Sequence, residues 1–341
     1  MNHNGGALGV NPPEAKRWQR LLREAVRDPR ELCALLGLPD DVAARAEAAT
    51  RAFPLLVPRG FIARMRHGDV DDPLLRQVLP LGAELEDVPG WVADPLVERD
   101  CAPRPGLLHK YHGRALLVTT GACAVHCRYC FRRHFPYDEV PVGRERWRAA
   151  IDYISGDATI DEAILSGGDP LTLADEMLAP LARELALIPH LRRLRIHSRL
   201  PVVLPERIDD ALLDWFTGTR LAPVLVLHAN HPHEVDDAVA AACARARARG
   251  VVLLNQSVLL RGVNDDVDSL SELSHRLFAA GVQPYYLHAL DRVSGAAHFA
   301  VDDARAKDLM RGLAARLPGY LLPRWVREVP GESGKVALAW R

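Results

Sequence analysis

Three of the six cysteines lie within eight positions, in the stretch GACAVHCRYCFRR. Cys123, Cys127 and Cys130 have the spacing C-x3-C-x2-C, and thiolates are soft ligands that suit iron–sulfur clusters or zinc. A structural zinc site takes a fourth protein ligand, which His126 or His134 could supply. A four-iron cluster held by three cysteines instead leaves one iron open to an exogenous ligand, which would explain why the group stops at three.

The segment SGGDP follows a short apolar run and starts at Ser166. Gly167 and Gly168 have no side chain, so the backbone there can approach a ligand closely. Asp169 could instead cap an ordinary strand-to-helix turn, which is the simpler interpretation of such a segment taken alone.

Lysine is scarce in this chain. Only four of the 43 basic residues are lysine, namely Lys16, Lys110, Lys307 and Lys335. Because arginine supplies most of the positive charge, a retained lysine favours a site that needs an amine able to lose its proton. A lysine this near the end of the sequence would otherwise be an ordinary solvated side chain.

These residues are expected to be positioned by a parallel sheet. Six short apolar or β-branched runs alternate with helix-like stretches, and this alternation is typical of βα units. Six units rather than eight favour an incomplete (β/α) barrel, although an open doubly wound sheet has the same periodicity. The six predicted strands are RALLVTT (114–120), EAILS (162–166), RLRIHS (193–198), PVLVLHA (223–229), VVLLNQ (251–256) and QPYYLHA (283–289).

Each predicted strand is followed by polar residues: TTGAC, SGGDP, HSR, HANH, NQS and HALD. In parallel α/β folds, catalytic and ligand-binding groups gather at the carboxyl ends of the strands. We therefore expect one site at the barrel mouth. The simpler alternative is that these residues only mark where strands emerge into water.

The remaining segments are less specific. Residues 14 to about 66 are predicted to be helical, and 67–113, rich in Pro, Asp and Gly, to form loops and short helices. The scattered Cys33, Cys101 and Cys243 are expected to be small buried hydrophobes.

Composition excludes several classes of protein. The 341 residues are 48% hydrophobic, enough for a large core, and the net charge of −1 argues against a nucleic-acid binder. The first residues lack the basic and apolar regions of a signal peptide, and no apolar run approaches the roughly 18 residues that span a bilayer. A soluble cytoplasmic protein is expected.

The cysteine loop resembles the signature of the radical S-adenosylmethionine enzymes. Strand, loop and spacing all agree, and Tyr129 is aromatic as that pattern expects. The resemblance implies a partial (β/α)6 TIM-like barrel with a [4Fe-4S] cluster on Cys123, Cys127 and Cys130. Its open iron would chelate S-adenosylmethionine, and an electron from a reducing donor would generate a 5′-deoxyadenosyl radical. SGGD resembles the segment that contacts the methionine amino group.

The resemblance narrows to the lysine 2,3-aminomutase family over roughly residues 50 to 337. The matching segments are GACAVHCRYCFRRHFPY, SGGDPL, RLRIHSRLPVVLPERI, LLNQSVLLRGVND and SGAAHF. The chain most resembles the short branch, which makes (R)-β-lysine for elongation factor P and lacks a long C-terminal extension. We expect no structural zinc, and a division into a helical wrapping segment 1–106, a barrel core 107–300 and a C-terminal segment 301–341.

The family also implies pyridoxal phosphate. In VPGESGK, Lys335 matches the lysine that forms a Schiff base with this cofactor, a link that an amine can make and arginine cannot. Lys110 and Arg114 match the cations that contact the phosphate, and Tyr111 matches the ring beside the pyridine.

Substrate roles carry over position by position. Arg132 matches the arginine that grips the α-carboxylate, where a bidentate fork fits well. Asp291 matches an acid for the ε-ammonium, and Glu328 stands where the catabolic enzymes have the partner aspartate. Residues expected to line the S-adenosylmethionine pocket are Ser166, Gly167, Gly168, Asp169, Arg199, His228 and Gln256.

The implied reaction converts L-α-lysine to (R)-β-lysine by a radical 1,2-amino shift, with no central general acid–base residue. Alternatives are the same chemistry on arginine or glutamate, or a scaffold protein with a structural cluster or zinc. The two acids at Asp291 and Glu328 disfavour an acidic side chain. The resemblance implies elongation factor P as an indirect partner, through a separate ligase, and a homo-oligomer is possible.

Overall fold

The computed structural model describes residues 16–137 and 144–340. Within them the chain forms one nine-stranded sheet whose strands lie side by side in chain order. Strands β2 to β8 pair in parallel, while β1 and β9 pair antiparallel at the two ends. The strands are β1 Leu107–Tyr111, β2 Arg114–Thr120, β3 Glu162–Gly167, β4 Arg193–Ser198, β5 Ala222–Leu227, β6 Val252–Val258, β7 Gln283–His288, β8 Arg324–Arg327 and β9 Val336–Ala337.

The six predicted strands are confirmed as β2 to β7, and the sheet is a partial barrel that does not close. Three strands beside them were missed. RWVR of β8 and the two residues of β9 are too short to show a period, and LLHKY of β1 lies in the segment 67–113, where we expected only loops and short helices. The three-part division of the chain stays a prediction. The last part continues the sheet through β8 and β9.

Helices lie between the parallel strands in the sequence, and five more of the described helices precede the first strand. The helical prediction from residue 14 is confirmed from residue 17, and positions 14 and 15 lie outside the described residues. The helices are α1 Arg17–Arg23, α2 Pro29–Leu36, α3 Asp40–Ala52, α4 Arg59–Ile62, α5 Pro73–Arg76, α6 Arg144–Gly156, α7 Asp175–Ala186, α8 Leu200–Val203, α9 Asp210–Thr217, α10 Asp237–Ala248, α11 Val267–Ala279 and α12 Asp303–Arg316. None of those described is long and apolar enough to cross a membrane.

Strand alternation separates an apolar outer face from a polar inner one. On β4, Leu194 and Ile196 are fully buried in the main core, beside residues of the helices. Successive side chains of a strand point to opposite faces, so Arg195 and His197 lie on the concave face. The same alternation puts His288 of β7 on that face, which therefore offers polar groups to a ligand.

The cysteines outside the triplet partly follow expectation. Cys33 and Cys243 are buried in the main core, which confirms their prediction as small hydrophobes. Cys101 is only half-buried, because it ends a short 3₁₀ turn just before β1, so that part of the prediction was wrong.

Candidate active site at the barrel mouth

The cysteine triplet lies in the loop that follows β2, and all three thiols are free and half-buried. Burial raises the pKa of Cys130 to about 11, and the neighbouring Cys127 raises it further. Burial and the nearby Cys130 also raise the pKa of Cys123. Thiolates this close together are unfavourable unless a metal ion displaces their protons and balances their charge, since a coordinating thiol is deprotonated. The donor set therefore fits a metal group.

The two histidines proposed as a fourth zinc ligand each place one ring nitrogen near a backbone carbonyl. His126 Nδ1 lies 2.9 Å from the Pro54 carbonyl, and His134 Nε2 lies 3.2 Å from the Ser294 carbonyl. In the described part of the chain, no three His, Cys, Asp or Glu side chains are arranged to bind one metal ion. An iron–sulfur cluster spreads its thiolates over several irons. A cluster with one open iron needs only the three cysteines, whereas a structural zinc site needs a fourth protein ligand.

A buried ion-pair cluster anchors the cysteine loop from behind. Glu84 accepts hydrogen bonds from Arg128 Nε at 2.8 Å and Nη2 at 2.5 Å, and from Arg133 Nη2 at 2.8 Å. The side chains of Arg128 and Glu84 are fully buried. Both guanidinium groups also lie over the Phe53 ring, at 4.8 and 4.7 Å. This cluster ties the loop to the N-terminal segment.

The two glycines of SGGDP are needed for close packing against the cysteine loop. A Cβ at Gly168 would lie 2.4 Å from the Ala122 carbonyl oxygen, and one at Gly167, whose φ is +123°, 2.6 Å from the Thr120 oxygen. Gly168 N–H also donates to the Thr120 carbonyl at 2.7 Å. From the sequence, we expected glycine here because a ligand approaches the backbone, whereas the contacts that exclude a side chain at these positions are made by the protein backbone itself. Their contact with S-adenosylmethionine stays a prediction.

Asp169 joins the ends of β3 and β4. Its buried carboxylate accepts from Ser198 Oγ at 2.7 Å and from the backbone N–H groups of Arg199 and Leu200, both at 2.9 Å. It also caps the following 3₁₀ turn through Leu171 N–H at 3.1 Å. Burial raises the pKa of this carboxyl group, and the hydrogen bonds oppose the rise. The capping interpretation is confirmed, and a role toward ligand stays a prediction.

Arg199 reaches from the end of β4 to the cysteine loop. Its Nη1 donates to Cys127 Sγ at 2.7 Å and to Tyr129 Oη at 2.6 Å, and its Nη2 donates to Gln77 Oε1 at 2.7 Å. Glu234, at 3.1 Å, balances its charge. Sequence reasoning missed Gln77 and Glu234. The polar run HANHPHE after β5 was the only signal for Glu234, and nothing local pointed to Gln77.

Two other residues expected at the S-adenosylmethionine pocket lie on neighbouring strands or strand ends. His228 Nε2 is 3.3 Å from Tyr129 Oη, and burial together with Arg199 lowers the pKa of His228 to about 3. Gln256 of β6 pairs with Tyr286 of β7. The structure thus brings Arg199 and His228 to the cysteine loop through Tyr129, and sets Gln256 on a nearby strand.

A second group of predicted residues meets at the other end of the sheet. The antiparallel register of β8 and β9 pairs Arg327 with Val336. Glu328, which follows Arg327, therefore faces Lys335, which precedes Val336. Lys335 Nζ accordingly lies 2.7 Å from Glu328 Oε2. Lys110, on the distant strand β1, lies 3.6 Å from the other oxygen of the same carboxylate. The amine predicted to be reactive therefore sits beside an acid and a second cation.

Lys110 and Arg114 flank the Tyr111 ring, at 5.6 and 4.7 Å from its centroid. The buried Lys110 Nζ has no hydrogen-bond acceptor among the described residues. A buried ammonium without an acceptor is costly, and an anion would relieve that cost. Two cations, a ring and a neighbouring amine fit pyridoxal phosphate.

The acids of this pocket have opposite pKa shifts. Burial opposes ionisation of Glu328, but Lys335 and then Tyr111 and Lys110 outweigh it and lower the pKa of Glu328 to about 2. Burial and the charge of Glu328 raise the pKa of Asp291 to about 7, against the opposing charges of Lys335 and Lys110. One acid is thus paired within the protein, and the other would gain from a cation supplied by a ligand.

Neutral imidazoles line the concave face beside Lys335. Burial and the charge of Lys335 lower the pKa of His288 to about 3. Burial and the nearby Arg195 lower the pKa of His197 well below its usual value, and its Nε2 has no hydrogen-bond partner among the described residues. These side chains add polarity without adding charge.

Arg132 lies between the two groups of residues. Its guanidinium is held by Glu98, with Nε to Oε2 and Nη2 to Oε1 both at 2.7 Å. Sequence reasoning assigned Arg132 to a substrate carboxylate and did not foresee Glu98. A bidentate pair of this kind shows that the fork is shaped to receive a carboxylate.

Comparison with known proteins identifies relatives of this chain. Residues 117–273 match the family model for the Radical SAM superfamily. The L-lysine 2,3-aminomutase of Escherichia coli (strain K12) is 50% identical over 330 residues, which cover 96% of each chain. That of Haemophilus influenzae is 47% identical over 96% of each chain. That of Clostridium subterminale is 36% identical over 94% of this chain and 76% of its own.

Among solved structures, a radical SAM methyltransferase from Sphaerobacter thermophilus aligns with a TM-score of 0.43 and 17% identity, over 64% of this chain and 68% of its own. A likeness this distant says nothing about function. The near full-length sequence identity to the aminomutases does identify the family. This chain belongs to the lysine 2,3-aminomutase family of radical S-adenosylmethionine enzymes.

Proposed function

We propose that this enzyme converts L-α-lysine to (R)-β-lysine. The observation that carries the proposal is the pocket in which Glu328 lies 2.7 Å from Lys335 and 3.6 Å from Lys110, and in which burial and the charge of Glu328 raise the pKa of Asp291. It combines an amine able to hold a carbonyl cofactor with two acids suited to an ammonium group. Relatives named L-lysine 2,3-aminomutase support lysine as the substrate.

The proposal assigns three cofactors. Cys123, Cys127 and Cys130 would hold a [4Fe-4S] cluster, which with S-adenosylmethionine supplies a 5′-deoxyadenosyl radical that takes a hydrogen atom from the substrate. Lys335 would hold pyridoxal phosphate, which supplies an extended π-system for the migrating nitrogen. The phosphate would lie by Lys110 and Arg114, with the ring by Tyr111. Around S-adenosylmethionine we place Ser166, Gly167, Gly168, Asp169, Arg199, His228 and Gln256.

The side chains of the protein would bind and orient the substrate, and one of them would control the proton on the Lys335 amine. Arg132 would hold the α-carboxylate of lysine, while Asp291 and Glu328 hold its ε-ammonium. Glu328 lies 2.7 Å from Lys335 Nζ, so it can keep the proton on this amine whenever the substrate amine has replaced it on the cofactor. No general acid or base needs to act on the carbon skeleton, because the hydrogen moves as an atom.

The charges of the pocket narrow the choice of substrate. The two carboxylates of Asp291 and Glu328 disfavour glutamate, whose own side-chain carboxylate they would repel. They would accept a guanidinium, so arginine is the alternative substrate to test. Lysine is favoured by the names of the relatives, which cover nearly the whole chain.

We further propose that the β-lysine made here is used to modify elongation factor P in the cytoplasm. A separate ligase would attach it, and a reducing protein would supply the electron. This step rests on the resemblance to the short branch of the family.

Product analysis tests the proposal. The protein would be reconstituted anaerobically with iron, sulfide and pyridoxal phosphate, then given S-adenosylmethionine, a reductant and L-lysine, L-arginine or L-glutamate. We expect (R)-β-lysine by chiral chromatography, from lysine only. Formation of 5′-deoxyadenosine with no β-lysine would show intact radical chemistry on a different substrate. One zinc per chain and no acid-labile sulfide would instead favour the scaffold alternative.

The assignment of Lys335 has its own test. After borohydride treatment of the reconstituted protein, peptide mass spectrometry should find pyridoxyl phosphate on Lys335. The variant Lys335→Ala should lose this label and all β-lysine formation, whereas Lys307→Ala, on the exposed part of α12, should keep both. A label that persists in Lys335→Ala would move the cofactor to another lysine.

A further inference from the structure

The guanidinium of Arg132 is already occupied by a carboxylate of its own chain. Glu98 makes two hydrogen bonds to it, both 2.7 Å long, and both side chains are about nine-tenths buried, with 6% and 10% of their surfaces exposed. The other face of the fork is also engaged, since Arg132 Nη1 lies 3.3 Å from Ser166 Oγ and from the Gly167 carbonyl. A substrate carboxylate therefore finds no free pair of N–H groups.

The backbone just before Glu98 is strained. Val97 has φ +50° and ψ +45°, and it is the one residue other than glycine with a positive φ in the described part of the chain. A β-branched side chain rarely adopts this left-handed conformation, because its Cβ substituents crowd the backbone. Its side chain is 38% exposed, so packing does not require valine there. The residue just before Glu98 is therefore held in a strained backbone conformation while Glu98 contacts Arg132.

We infer that Glu98 is an internal ligand that occupies the carboxylate site of Arg132 until substrate displaces it. The inference rests on the proposed function, because it takes Arg132 as the seat of the α-carboxylate of lysine. Glu98 is then a positioning residue that keeps Arg132 in place while the site is empty. It also lowers the affinity for any ligand that carries a carboxylate, since binding must first remove Glu98 from the fork.

The inference predicts opposite effects for two substitutions. Glu98→Gln keeps the shape but removes the competing charge, so lysine should bind about ten- to hundredfold more tightly, the factor that charge-assisted hydrogen bonds of this kind contribute. Val97→Asn relieves the strain of the seated state, because asparagine tolerates the left-handed region. It should therefore weaken lysine binding by a few-fold. Asp100→Asn removes one exposed charge from the same turn and should change nothing.

The control ligand is 1,5-diaminopentane, which has the carbon chain and both amines of lysine but lacks its carboxylate. Its amines can reach the cofactor and the acids at Asp291 and Glu328, but it has nothing to place on Arg132. We expect all four proteins to bind it equally. Binding would be measured by equilibrium dialysis of the anaerobically reconstituted enzyme with S-adenosylmethionine but no reductant, so that no turnover occurs.

Lysine binding that is unchanged or weaker in Glu98→Gln, with diaminopentane unchanged, would overturn the inference, since Glu98 would then only orient Arg132. If Glu98→Gln does not fold, Glu98→Asp tests the same point, because its shorter side chain cannot span both N–H groups and should also tighten lysine binding. In steady state the effect should appear in KM, with kcat unchanged. Failure of the wild-type enzyme to make β-lysine would refute the proposed function itself, and this inference would fall with it.

Discussion

Asp291 combines two properties that one substitution can separate. Burial and the adjacent Glu328 raise the pKa of its carboxyl group to about 7. Without a ligand, its ionised form is therefore unfavourable near neutral pH. In the proposed complex, the ε-ammonium of lysine makes that form useful. Replacement by asparagine, which has nearly the same shape and no charge, should stabilise the empty protein and impair substrate binding.

The size of the stability effect follows from the two pKa values. The carboxyl group has an ordinary pKa of 3.8, against about 7 in the folded protein. A raised pKa favours folding fully below 3.8, and this contribution is lost as the pH rises through 7. At about 1.4 kcal/mol for each pH unit between the two values, the raised pKa costs the folded state roughly 1–2 kcal/mol at pH 5 and roughly 4–5 kcal/mol at pH 8. Asp291→Asn should remove that cost.

Urea denaturation of the ligand-free protein at pH 5 and pH 8, followed by circular dichroism, measures the difference. Asp291→Asn should be more stable than wild type at both values, by about 3 kcal/mol more at pH 8. Asp87→Asn, on an exposed loop, is the control and should show no such pH dependence. An equal change at both pH values, or a less stable variant at pH 8, would show that the folded protein does not raise the pKa of Asp291.

The same titration predicts how wild-type enzyme binds lysine. The ammonium needs the ionised carboxylate, so below pH 7 each pH unit should weaken lysine binding by up to about tenfold. Asp291→Asn should abolish this dependence and leave binding weak at every pH. Lysine affinity that does not change between pH 5.5 and 7 would rule out Asp291 as the partner of the ammonium.

Two further predictions concern the cysteine loop. Gly168→Ala would place a Cβ 2.4 Å from the Ala122 carbonyl oxygen, so it should cost about 1–3 kcal/mol of stability and lower the iron bound per chain after reconstitution. Gly60→Ala, which has open space around it, should change neither the stability nor the iron content. Normal iron content in Gly168→Ala would show that the cysteine loop does not need this close contact. Glu84→Gln removes the carboxylate that pairs with both Arg128 and Arg133, so it should lower the free energy of unfolding by about 3–5 kcal/mol in urea denaturation. Glu47→Gln, in an exposed pair with Arg30, should have no measurable effect. Similar results for both variants would show that burial does not strengthen the Glu84 pairs.

The features that could be predicted from the sequence depend on residues that are close together in the chain. The strands β2 to β7 have apolar runs long enough to show, and the cysteine triplet has its ligands within one loop. The position of Lys335 was inferred from its motif, and its neighbours follow from strand pairing, because β8 and β9 fold back with Arg327 opposite Val336. That register could not be foreseen, since four-residue and two-residue strands have no measurable period.

The missed residues are long-range partners. Glu84 lies 44 positions before Arg128, and Glu98 lies 34 positions before Arg132. An acid in a loop looks the same in sequence whether it faces water or a buried guanidinium. The arginines of the cysteine motif were visible, but their carboxylates were not, because only the folded chain brings the two together.

These pairings explain how so polar a pocket can stay folded when it is empty. Each buried charge that we assign to a ligand would be costly alone, yet most have a partner within the chain: Arg132 has Glu98, and Lys335 has Glu328. Binding then exchanges one partner for another instead of burying new charge, so affinity depends on the difference between the two pairings and not on either one. Among the described residues, Lys110 Nζ has no hydrogen-bond acceptor and only a longer ion pair with Glu328, at 3.6 Å, while burial and Glu328 raise the pKa of Asp291. A bound phosphate at Lys110 and a bound amine at Asp291 would therefore gain most, because these two groups are the least well compensated by the protein.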